Sequence, residues 1–119
     1  MAAALPMFET MSVVGEWDVF RAPELRERLL ALLDTGRPVV VDLSDASFLD
    51  SASLGVFVSA FKLADGRRQP LLFLVPRERD SHVRRVLEIT GLERVLPLAR
   101  SWQEIEQSLA ERGTGETAR

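Results

Sequence analysis

The chain has no cysteine, one histidine and one lysine, Lys62. Without thiols there are no disulfides, no thiolate nucleophile and no cysteine metal site, a composition that suits a reducing compartment. His82, standing alone, cannot build a histidine metal cluster. Charge of one sign is also scarce. Fifteen basic residues face 18 acidic ones for a net charge of −3, so the basic footprint of a nucleic-acid binder is missing. No apolar run approaches the roughly 20 residues of a membrane span. The start Met1-Ala2-Ala3-Ala4-Leu5-Pro6 has neither the basic region nor the long apolar region of a secretory signal. The expectation is a cytoplasmic protein with no membrane and no direct nucleic-acid partner.

What is present is 119 residues with 46% hydrophobic content, the size of a single domain with a proper core. Residues 1–9, Ala-rich and broken by Pro6, are expected to be a flexible lead-in. Residues 10–112 are expected to form the domain, and 113–119, small and polar, a disordered tail.

Periodicity orders the elements. Met11, Val13 and Val14 suggest a first strand over 10–15 that turns at Gly15-Glu16. Ala22, Leu25, Leu29, Leu32 and Leu33 recur at helical spacing, with Pro23 suited to a first turn and Gly36 just beyond. Glu24, Arg26, Glu27 and Arg28 take the solvated face. The run Val39-Val40-Val41-Asp42-Leu43 reads as a central parallel strand covered on both faces, with Asp42 a strand-end residue bonded to backbone. A helix over 54–65 carries Leu54, Phe57, Val58 and Phe61 on one face. Val56, Ala60 and Leu63 form a second stripe, turned either to a neighbouring helix or to a partner beside Ser51.

Further on, 71–75 is a short apolar strand, and Val83, Val86, Leu87 and Thr90 fit a helix that begins at Asp80 or Ser81 and stops at Gly91. His82 is expected on its surface. Pro97 places a last strand, over 94–98, at a sheet edge. Ser101 and Glu104 form a capping box for a closing helix with Ile105 and Leu109 inward. The order β-α-β-α-β-α-β-α predicts an α/β domain: a mostly parallel or mixed sheet of about four strands with helices packed against it.

The chain is organised around Phe48-Leu49-Asp50-Ser51-Ala52-Ser53-Leu54-Gly55, where strand, short turn and helix start meet. The first backbone N–H groups of a helix lack intrahelical partners and sit at the positive end of its dipole, so anions are stabilised there. Asp50 and Ser51 are both good N-cap residues. The stretch is therefore either a well-capped helix or a serine that accepts phosphate.

This stretch closely resembles the signature of STAS-domain anti-sigma factor antagonists, which reads D-S-[ST/A]-G-L-G. The landmarks G-E-W-D at 15–18, V-V-V-D-L at 39–43 and T-G-L at 90–92 extend the resemblance over roughly residues 10–110. It implies a STAS fold in which Ser51, directly after Asp50, is the phosphoacceptor. Asp18, Asp50, Ala52, Ser53, Leu54 and Val56 would then lie near the phosphosite or the partner. Ser53 departs from the family's glycine; its side chain would crowd a partner's backbone or offer a second hydroxyl. Asp18 is either an acidic neighbour of the phosphoserine or a cap for the helix near Ala22. Trp17, at a position usually small or aliphatic, either binds a partner or covers the core.

The resemblance implies an anti-sigma factor antagonist with no cofactor. Unphosphorylated, it binds an anti-sigma factor serine kinase, and phosphorylation of Ser51 releases it. A PP2C-type phosphatase would reset it, and weak homodimerisation is left open. A different class is a STAS scaffold or transporter-accessory module that is never phosphorylated. An enzyme or a phospho-aspartate receiver is disfavoured. Lys62 lies within the signature helix rather than late in a strand, His82 begins a separate helix, and no glycine-rich phosphate loop occurs.

Overall fold

The computed structural model describes residues 7–117, with side chains described as far as Glu111. In order the elements are β1 (Glu9–Ser12), β2 (Gly15–Trp17), α1 (Ala22–Leu33), β3 (Val39–Asp42), β4 (Ala46–Leu49), α2 (Ser51–Gly66), β5 (Leu71–Leu74), α3 (His82–Ile89), β6 (Leu98–Ala99) and α4 (Trp102–Thr117). Single 3-10 turns cover Val19–Arg21 and Leu92–Arg94.

The valine run folds as its composition demands. β3 lies inside a four-stranded sheet of order β1-β3-β5-β6, and its pairings with β1 and β5 are parallel, with Val40 facing Thr10 on one side and Leu72 on the other. Strand residues alternate between two cores, because successive side chains point to opposite faces. Val39, Val41, Leu71 and Phe73 pack with Leu25, Leu29 and Leu33 of α1, Phe57 of α2, and Val83 and Leu87 of α3. Val40, Leu72, Leu74 and Ala99 face the other way, against Ile105 and Leu109 of α4. Among the described residues, three helices thus cover one face and α4, with Phe8 beside it, covers the other. Each fully buried aliphatic side chain contributes roughly 1.5–3 kcal/mol.

α1 has the expected bounds, with proline in its first turn. α3 is capped by Ser81, whose hydroxyl accepts from Arg84 N–H, and the chain leaves it through Gly91 at φ 77°, a left-handed conformation that glycine adopts without steric cost. Asp42 is the strand-end residue expected, accepting from Ser44 N–H at 2.9 Å. Two strands go beyond the expected four. The first strand bends after Ser12 and resumes as β2, and the central strand resumes as β4. β2 and β4 form their own parallel ladder, joined to the main one by the bonds Val13 N–H to Asp42 O at 2.9 Å and Gly15 N–H to Asp45 O at 3.0 Å. Every strand pairing among the described residues is parallel, at the parallel end of the mostly parallel or mixed sheet expected.

The final strand is shorter and later than the expected 94–98. The 3-10 turn after Gly91 consumes Leu92–Arg94, and β6 begins only after Pro97, at the sheet edge as expected. Ser101 caps α4 by accepting from Glu104 N–H at 3.2 Å, while the Glu104 carboxylate reaches back to Arg100 N–H.

The expected segment boundaries meet the fold only in part. Residues 1–6 of the lead-in lie outside the described residues, and Glu9 already belongs to β1. The tail expected from Gly113 meets a helical backbone that continues to Thr117; glycine in a helix costs only about 1 kcal/mol and does not forbid it. Residues 118 and 119 lie outside the described residues.

Candidate functional site

The β2–β4 ladder builds the site. Trp17 is in register with Leu49, so the next residues of the two strands, Asp18 and Asp50, leave the ladder side by side, and Asp50 N–H donates to Trp17 O at 3.3 Å. α2 starts at once. Asp50 is its N-cap, in extended conformation, and its Oδ1 accepts from Ala52 N–H at 3.0 Å and Ser53 N–H at 3.2 Å. Of the two cap candidates, the aspartate takes the role, and Ser51 stands exposed at the first helical position. Two of the four orphan donors of the helix are thereby occupied by a carboxylate.

Ser53 behaves differently from either sequence expectation. It is 0% exposed, and its hydroxyl donates to Trp17 O at 3.3 Å, tying the helix start to β2. Its side chain is turned into the fold and is not presented at the surface. Leu54 is likewise buried in the first core, and Val56 is half-buried against it. Val56, Ala60 and Leu63 line a small cavity with Arg26, Leu29 and Leu30 of α1, so the second apolar stripe of α2 faces a neighbouring helix. Ala52 is half-buried. Of the residues singled out from the sequence, those presented outward at this junction are Ser51 and Asp18, with Asp50 between them.

Asp18 does not cap α1 itself, which has no side-chain cap. Its Oδ1 accepts from Phe20 N–H at 3.1 Å and so caps the 3-10 turn leading into that helix. Trp17 covers the core: it is 1% exposed, its Nε1–H donates to Val14 O at 3.0 Å, and the Arg21 guanidinium lies 3.5 Å from its ring centroid.

Three features of this surface escaped the sequence reading. The 3-10 turn that Asp18 caps packs against α2 and holds Phe20 87% exposed and Val19 half-exposed. Gly55 shares the outward face of α2 with Ser51, one turn on, and a side-chain carbon there would meet nothing within 4 Å beyond its chain neighbours and the backbone of its own helix. His82 is exposed, as expected, but its Nε2 lies 3.2 Å from Leu49 O and its ring stacks on Phe48 at 4.7 Å between centroids. α3 is thus docked onto the strand that delivers Asp50 and Ser51. No local signal marks a contact between residues 33 apart. The exposed aromatic at position 20 was readable as an apolar residue off the helical stripe.

Among the described residues no group of three or more His, Cys, Asp or Glu is placed to hold a metal ion, and no helix is long and apolar enough to cross a membrane. A family model described as Mlab, STAS domain, matches residues 7–98. The anti-sigma-B factor antagonist of Bacillus subtilis (strain 168) is 36% identical over 89 residues, 75% of this chain and 79% of that protein. The chain belongs to the STAS-domain family of anti-sigma factor antagonists. The anti-sigma-B factor antagonist of Staphylococcus aureus (strain NCTC 8325 / PS 47) is 37% identical over 87 residues, covering 72% of this chain and 78% of that one. The crystal structure of an anti-sigma factor antagonist from Mycobacterium paratuberculosis superimposes with a TM-score of 0.75 at 25% identity, over 87% of this STAS chain and 92% of that one. The Bacillus cell fate determinant SpoIIAA in its phosphorylated form shares the STAS fold at a TM-score of 0.60 and 18% identity, over 83% of this chain and 88% of that one.

Proposed function

We propose that this anti-sigma factor antagonist works by partner switching in the cytoplasm. Unphosphorylated, it binds an anti-sigma factor that is also a serine kinase and so frees the sigma factor for transcription. Phosphorylation of Ser51 ends the complex, and a PP2C-type phosphatase restores it. The domain performs no catalysis of its own. The observation that carries this reading is the division of labour at the start of α2: Asp50 caps, Ser53 is buried and bonded to Trp17 O, and the one exposed hydroxyl of the signature is that of Ser51.

The physics of the switch is local. A phosphoserine adds about −1.5 to −2 charge and three acceptor oxygens. On Ser51 that charge meets the Asp50 carboxylate and the neighbouring Asp18, so it stays at the surface, where an interface matched to a neutral hydroxyl suffers desolvation and repulsion. The open space over Gly55 favours the same face as the one a partner approaches. Ser53, whose departure from the family's glycine was the reason to entertain an unphosphorylated scaffold, lies inside the fold and leaves that alternative without its support.

Two measurements test the proposal. Ser51→Ala should abolish phosphorylation by the cognate kinase while leaving kinase binding largely intact, and phosphosite mapping by mass spectrometry on protein from growing and stressed cells should find Ser51 phosphate that changes with condition. Phosphate on Ser53 in the Ala variant, or an unmodified Ser51 under every condition, would overturn it.

A further inference from the structure

Where neighbouring parallel strands send their following connections to opposite faces of a sheet, a crevice opens at their carboxyl ends, and such crevices are where open α/β sheets bind ligands. β5 and β6 are neighbours of this kind. β5 leads to α3, whose Val83 and Leu87 pack in the first core, and β6 leads to α4, whose Ile105 and Leu109 pack in the second. The gap between the two connections holds a cavity of about 480 Å³, within the roughly 300–1,000 Å³ typical of small-molecule sites.

Its lining has two characters. Leu74 and Val75, both buried, contribute its apolar part, and Trp102, 40% exposed, lines it as well, with its ring 6.5 Å from that of Phe8. Arg77 and Arg100 line it together with Ser44 and Ser101, and no acidic side chain is in the lining; the Ser44 hydroxyl is bonded to the Asp42 carboxylate and the Ser101 hydroxyl accepts from Glu104 N–H. Neither arginine forms an ion pair with another described residue; the arginines that do are Arg21, Arg28, Arg37 and Arg67. Their backbone is nevertheless fixed. Arg84 donates to Arg77 O at 3.0 Å, and Arg100 N–H donates to the Glu104 carboxylate at 3.2 Å. The adjoining cavity toward α3 has Glu93 and Glu104 among its lining with Arg84 and Arg100, so the acidic groups lie on that side and the arginine-only side is the one suited to an anion.

We propose that this crevice binds a small anion, phosphate or carboxylate, carried on a flat apolar body. The charged head sits between Arg77 and Arg100, whose guanidinium groups offer planar forks of donors to either anion, and the body lies on Leu74 and Val75 against the Trp102 ring. None of the lining residues belongs to the signature stretch that carries Ser51, and binding there does not require its phosphorylation.

The two tryptophans make the test direct. In the full-length ¹⁵N-labelled chain, the indole N–H of Trp17, buried and bonded to Val14 O, is an internal reference, and that of Trp102 reports the crevice. The probes are 1-naphthyl phosphate, 1-naphthoate and neutral 1-naphthol. At least one anion should shift the Trp102 signal saturably, with a Kd of about 1 mM or tighter, leaving Trp17 still, and 1-naphthol should bind at least tenfold more weakly. The tighter of the two anions identifies the head group. Arg77→Gln and Arg100→Gln should each weaken anion binding several-fold, and the double variant should abolish it. The proposal is overturned if neither anion gives a saturable shift, if 1-naphthol binds as tightly as the anions, or if the double variant titrates like the wild type.

Discussion

Replacing Ser53 with alanine and with glycine separates its structural role from any role as a phosphate acceptor. The hydroxyl is fully buried and donates to Trp17 O at 3.3 Å, and that carbonyl also accepts from Asp50 N–H at 3.3 Å. Losing the hydroxyl therefore orphans no acceptor, and the net loss lies near the low end for a hydrogen bond, about 0.5 kcal/mol. Alanine recovers a similar amount, about 0.5 kcal/mol, through its better helix propensity. Ser53→Ala should thus remain within about 0.5 kcal/mol of the wild type. Glycine has no such offset: it adds roughly 0.5 kcal/mol of propensity loss and about 0.8 kcal/mol for the missing buried carbon. Ser53→Gly should be less stable by about 1–2 kcal/mol, a fall in Tm of about 4–8 °C for a domain of this size. Calorimetric or circular-dichroism melting reads both values, and mass spectrometry after incubation with the kinase should find both variants phosphorylated at Ser51 as fully as the wild type. A glycine variant as stable as the wild type would refute the reasoning, because it would mean that the buried side chain contributes nothing; phosphate on Ser53 of the folded wild type would refute it equally.

Other perturbations read the same surface. Gly55→Ala should raise stability by up to about 1 kcal/mol in urea titrations, since the added carbon meets nothing and glycine is a poor helix residue, yet weaken binding to the cognate anti-sigma factor, measured calorimetrically; unchanged affinity would remove this face from the interface. Phe20→Ala, at a side chain 87% exposed, should leave stability within about 0.5 kcal/mol while lowering partner affinity about tenfold, or ~1.4 kcal/mol; a variant that unfolds instead would show Phe20 to be structural. His82→Ala removes the contact with Leu49 O and the stacking on Phe48 and should cost about 1–2 kcal/mol, with amide shifts in an NMR spectrum reaching Asp50 and Ser51; shifts confined to α3 would argue that it does not hold the signature in place.

Much of this was legible in the chain because the signals were local and the physics short-ranged. The valine run could be buried only on both faces and so became the central parallel strand. The helical spacing of Ala22, Leu25, Leu29 and Leu33 located α1 to the residue, and Ser81, Gly91 and Ser101 marked helix ends through backbone groups within four positions of themselves. The signature placed a strand, a cap and a helix start in succession, and Ser51 with them.

What escaped was decided by contacts between distant segments. β2 and β4 are short, and neither stands as a strand without the other, so a pairing between residues about 30 apart had to exist before either could be read. That same ladder sets Asp18 beside Asp50 and turns the Trp17 carbonyl toward Ser53. The signature offered two hydroxyls and one carboxylate, each able to cap the helix; only the packed structure decided that Asp50 caps, Ser53 goes inward and Ser51 is left to solvent. The sequence by itself determined the class of the fold and the position of the serine, because hydrophobic period and capping act over a few residues. Which of its serines is reachable, and what surrounds it, was decided by tertiary pairing, because exposure is a property of the neighbours that the fold brings together.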